Sequence, residues 1–70
     1  MNKRETYDKF VKAEDHAKHE LNILGDLLAD AVLDRMTEKV EGMLNEIGIY
    51  EMAVEKLHEF REAAYNELED

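Results

Sequence analysis

Cysteine, serine, proline and tryptophan are all missing from these 70 residues, and glycine occurs only three times. Without cysteine there are no disulfides and no thiolate zinc sites, and nothing points to an oxidising compartment. Without serine or cysteine, a nucleophile would have to be Thr6, Thr37 or a carboxylate. Three scattered glycines build no phosphate-cradling loop. The chain is therefore expected not to be an enzyme and to need no cofactor. No apolar run approaches the roughly 20 residues of a membrane span, and "MNKRETYDK" leads into no signal-peptide core, so a cytoplasmic location with no membrane contact is expected. Bases are scarce as well: nine Lys and Arg stand against eighteen Asp and Glu, for a net charge of -9. That charge disfavours direct binding of nucleic acid or an anionic membrane, both of which need a positive surface, and favours a basic partner.

What is present is an amphipathic composition, 44% apolar and 39% charged, in a chain long enough for one domain over residues 1–70. Such a chain lies near the lower limit of what one core stabilises, and oligomerisation is the remaining common way to add to it. Tyr7, Phe10, Val11, Ala17, Leu21 and Leu24 step mostly by three or four, predicting a helix over about 5–22 that Asn2 or Thr6 caps. Asn22 and Gly25 then end or kink it. Leu24, Leu28, Val32, Met36, Val40, Met43 and Ile47 predict a second helix over about 26–46. Gly48 fits the left-handed residue after its end. Tyr50, Ala53, Val54, Leu57, Phe60, Ala64 and Leu68 predict a third over about 50–68. The fold class is all-α, two to three helices in an antiparallel bundle.

Leu27, Leu33 and Leu44 fall outside the second stripe. Either they pack against both other helices of a three-helix monomer, or they belong to a homodimer seam. The shortness of the chain favours the dimer, with Leu24, Leu28, Val32, Met36, Val40, Met43, Leu57 and Phe60 as core or seam residues.

The acids are segregated. Residues 1–18 carry five bases and four acids, whereas residues 19–70 carry four bases and fourteen acids. Asp26, Asp30, Asp34 and Glu38 recur every four residues, with Glu41 beside them, on the face opposite the second stripe. Glu51, Glu55, Glu59 and Glu62 repeat the arrangement on the last helix. Like charges at this spacing cost a few tenths of a kcal/mol per pair. Arg35, Lys39, Lys56 and Arg61 are the nearby bases that offset it. Four helical residues advance about 6 Å, comparable to the through-space separation of phosphates along a nucleic-acid strand. The rows are either solvated faces that maintain solubility or a surface read by a basic groove.

In size, charge and these two carboxylate rows, residues 19–70 resemble the small acidic proteins that bacteriophages make for host takeover, among them the DNA mimics. The resemblance extends to phage inhibitors of the histone-like nucleoid protein HU. It implies a non-enzymatic inhibitor that occupies the DNA-binding surface of a basic host protein in the bacterial cytoplasm. HU suits such a mimic because it reads backbone charge and deformability rather than base edges. A dimeric mimic would match a dimeric target.

Two histidine clusters merit separate treatment. "EDHAKHE" sets His16, His19 and Glu20 at helical spacing, and Glu55 with His58 forms an ExxH pair of the kind di-iron bundles use twice. No acid interrupts the apolar stripes, so inward carboxylates are missing and no metal site is expected. Met52, Tyr65 and Leu27 lie outside the stripes and are candidate contacts for a different role, a helical regulator or adaptor that grips an enzyme such as RNA polymerase or a protease through an apolar patch.

Overall fold

The first helix starts where the sequence offers a cap: Asn2 has extended backbone (φ -85°, ψ 170°), and its Oδ1 accepts a 2.8 Å hydrogen bond from the Glu5 N–H. Thr6 does not cap; its hydroxyl donates to the Asn2 carbonyl at 3.1 Å. The computed structural model describes residues 2–68, and Met1, Glu69 and Asp70 lie outside them. Within that range the protein is an antiparallel hairpin of two helices, α1 (Lys3–Leu33) and α2 (Thr37–Leu68). No strand occurs among the described residues.

The all-α, antiparallel expectation holds, but the helix boundaries differ. Gly25 and Gly48 both lie inside helices, and neither adopts a positive φ. The reversal comes instead at Asp34–Met36, within the expected second helix. Its geometry is a Schellman turn: Arg35 sits in the left-handed region at φ 58°. Its N–H reaches the Val32 carbonyl at 3.1 Å, and the Met36 N–H reaches the Ala31 carbonyl at 3.0 Å.

The spacing of the seam explains where the breaks fall. On α1 the inward residues are Tyr7, Phe10, Glu14, Ala17, Leu21, Leu24, Leu28 and Ala31, in alternating steps of three and four, and all are buried or half-buried. On α2 they are Val40, Met43, Ile47, Tyr50, Val54, Leu57, Arg61, Ala64 and Leu68, in the same rhythm. This is the 3.5-residue repeat of a coiled coil. It passes through Gly25 and Gly48 undisturbed, and packing on either side outweighs the roughly 1 kcal/mol that a helical glycine costs. Beyond Ala31 the next inward positions would be Arg35 and Glu38, and there α1 stops. The steps of four linking Leu24, Leu28, Val32, Met36 and Val40 are no seam, because each advances about 40° around the helix.

The hairpin fixes which residues meet. Tyr7 packs on Tyr65 and Phe10 on Phe60, each with ring centroids 5.8 Å apart. The molecule measures 53 × 16 × 14 Å. A pair of helices this slender covers only one stripe of each. Leu24 and Met43 are buried and Leu28, Val40 and Leu57 half-buried, as core residues should be. Val32, Met36 and Phe60 are exposed, and so are Leu27, Leu33 and Leu44. With no third helix among the described residues, the three-helix monomer is excluded.

Candidate functional site

Two polar features stand out, an acidic ridge on the outside and an ion-pair cluster in the seam. Because α2 is continuous through Gly48, Glu38, Glu41, Glu51, Glu55, Glu59 and Glu62 all belong to one helix, and all are exposed. From first to last they span about 36 Å at 1.5 Å per residue. A break at Gly48, expected from the sequence, would divide them between two helices, and an unbroken helix over 26–46 would join Glu38 to Asp26, Asp30 and Asp34, which the turn separates. Asp26 and Asp30 are exposed on α1, and Asp34 caps its C-terminus in the turn. These residues crowd the turn end of the hairpin rather than forming a single row. Glu38 is favoured there by the N-terminal dipole of α2, whereas Asp30 and Asp34 stand against the C-terminal dipole of α1.

Few bases neutralise the ridge. Lys56 Nζ lies 3.4 Å from Glu59 Oε2, with both side chains exposed, an arrangement that contributes little in water. Arg61 does not serve the ridge at all: it turns into the seam.

There it meets Glu14, the one acid that does interrupt an apolar stripe, contrary to expectation. Glu14 is 1% exposed. Lys18 Nζ is 3.0 Å from its Oε2, Arg61 Nε 3.2 Å from its Oε1 and His58 Nδ1 3.5 Å from its Oε2. The Arg61 contact is an ion pair without hydrogen-bond alignment, which leaves Oε1 without a hydrogen-bond partner among the described residues. The hydrogen bond from Lys18 holds the Glu14 carboxyl below its ordinary pKa of 4.5; burial opposes this, and the charges of Arg61, Lys18 and His58 reinforce it.

His58 is half-buried. Its Nδ1 lies 2.9 Å from Arg61 Nη2. A guanidinium only donates, so this contact is a hydrogen bond in the tautomer that carries its ring proton on Nε2, which faces Glu62 Oε1 at 3.0 Å. His16 is exposed and 3.8 Å from Glu20. No group of three or more potential metal ligands is assembled among the described residues.

The sequence held a signal for this cluster. The α1 rhythm 7, 10, 17, 21, 24 skips a beat at 14, and the α2 rhythm 54, 57, 64, 68 skips one at 61. Opposite charges fill the two vacancies and face each other. Compared with protein-family models, curated proteins and solved structures, the chain matches none.

Proposed function

We propose that this protein is a non-enzymatic acidic inhibitor that occupies the DNA-binding surface of a basic protein, with the histone-like protein HU as the first candidate target. The observation that carries the reading is the carboxylate ridge of α2: six side chains on one rigid, unbroken helix, with Lys56 as the nearest neutralising base. These six negative charges, in groups of two and four about 15 Å apart, extend over about 36 Å, the axial rise of roughly ten phosphates on one DNA strand. Complementary fields of this kind speed association and select partners of opposite sign. Asp26, Asp30 and Asp34 add charge at the turn end.

The test is displacement of duplex DNA from HU by the purified protein at about 50 and 200 mM salt, with a helix-turn-helix repressor in parallel. Displacement that weakens with salt, and is lost when Glu41, Glu51, Glu55 and Glu59 are all changed to Gln, is the expected result. Equal displacement by that variant, with its helicity intact, refutes the mimicry. A second reading draws on the exposure of Leu27, Met52 and Tyr65: a helical regulator binding an enzyme such as RNA polymerase or a protease. Salt-tolerant binding would favour it.

A further inference from the structure

The hairpin exposes more surface than its mass requires. A globular monomer of 8.2 kDa has about 4,500 Å² of accessible surface, and this molecule has 5454 Å². The excess, roughly 900 Å², is close to what each partner contributes to a standard protein interface. Among the described residues ten large apolar side chains are exposed, while five apolar residues are buried, three of them alanine.

Part of the exposed set shares one flank. In an antiparallel pair, the residues just before Leu28 on α1 and just before Val54 and Arg61 on α2 line the same side of the seam. Those residues are Leu27, Ala53 and Phe60. Ile23 and Ile49 lie one turn before Leu27 and Ala53, and Met52 adjoins them. The numbers of facing residues add to about 72, as at Tyr7 and Tyr65; Ile23 and Ile49 therefore stand at the same level. Ile23, Leu27, Ile49, Met52 and Phe60 are all exposed.

Charge on this flank is polarised along its length. Lys9, Lys12 and Lys56 lie toward the end that carries the chain termini, with Glu67 also there, and Glu20, Asp30 and Glu46 lie toward the turn, so the first end is the more positive. All but the half-buried Glu20 are exposed. On α2, Glu51, Glu55 and Glu62 fall on the opposite flank, whereas Glu59 lies beside Lys56 at 3.4 Å.

We infer that this flank binds a second copy of the chain about a two-fold axis perpendicular to the hairpin, forming a four-helix bundle. The antiparallel arrangement puts the basic end of one copy against the acidic end of the other and the isoleucines near the centre. An isologous contact of this kind uses one patch twice and closes on itself. It leaves both acidic ridges on the outside. The interface differs from the dimer seam expected from the sequence, whose Leu24, Leu28, Val40, Met43 and Leu57 are consumed within the hairpin.

Sedimentation velocity on the intact protein at about 100 µM tests this directly. The expected mass is twice 8.2 kDa; a monomer or a larger assembly overturns the inference. Lys12→Glu should raise the dimer Kd by about tenfold, because the two-fold repeats each change, and adding Asp30→Lys should restore it. Failure of that rescue, with helical content unchanged by circular dichroism, overturns the antiparallel arrangement. Neither measurement involves DNA or HU, so the outcome is independent of the proposed target.

Discussion

Removing the buried pair one member at a time should reveal an asymmetry. Arg61→Leu leaves the Glu14 carboxylate in the seam with Lys18 and the His58 ring in contact, whereas Glu14→Leu leaves a guanidinium whose side chain is already 32% exposed and can extend to water. Breaking a buried pair costs about 3–5 kcal/mol when a charge is stranded. Because Lys18 remains, about 2–3 kcal/mol is expected for Arg61→Leu, and about 1 kcal/mol or less for Glu14→Leu. The double variant Glu14→Leu/Arg61→Leu strands nothing and restores the apolar rhythm, so its stability should lie within about 1 kcal/mol of the original or above it. A 70-residue protein has roughly 4–10 kcal/mol in total, so Arg61→Leu should remove a large fraction of it. Urea melts followed at 222 nm, at one fixed protein concentration, measure all three, and a constant m-value confirms that compactness has not changed. Equal costs for the two single variants, or a double variant as weak as Arg61→Leu, would refute the placement of Glu14 as the deeper partner.

Two further outcomes are expected. The folded-state pKa of Glu14 is depressed, so its contribution to stability is complete above about pH 4.5 and is lost as pH falls through the lower folded value. The urea midpoint of the original protein should therefore fall more steeply between about pH 5 and pH 3 than that of Glu14→Gln, and parallel curves would contradict the ion-pair cluster. Glycine is misplaced relative to the backbone: Arg35→Gly relieves a left-handed residue, and Gly48→Ala adds a methyl where no atom lies within 4 Å. Each should stabilise by about 0.5–1 kcal/mol in thermal or urea melts, and a loss at Gly48 would mean that the helix does break there.

Those substitutions bear on how much of the fold was legible in the sequence. The helical class and the antiparallel packing followed from apolar spacing and the absence of proline. The location of the turn did not. Gly25 and Gly48 were weighted as stop signals, whereas the residue that reverses the chain is an arginine, a type with no preference for the left-handed region. The deciding signal was the loss of the three-four alternation after Ala31, which the steps of four through Val32 and Met36 disguised. Glu14 and Arg61 escaped notice for a related reason: a charged residue at an inward position reads as a gap in the pattern until the opposing helix supplies its counter-charge. The exposed glutamates of α2 were found from sequence alone, yet their union on one helix depended on Gly48 not breaking it.

The distance of the ion pair from the turn has a consequence for the order of folding. Contacts beside the turn, such as those flanking Ala31 and Val40, close short loops, while Glu14 and Arg61 lie in the half of the hairpin away from the turn and close a loop of more than forty residues. Helical hairpins assemble fastest through local contacts, so pairing proceeds outward from the turn and the charges engage late. An interaction absent from the transition state alters the rate of opening and leaves the rate of closing nearly unchanged. The pair therefore acts as a latch: it sets how long the two arms stay together, not how quickly they find each other.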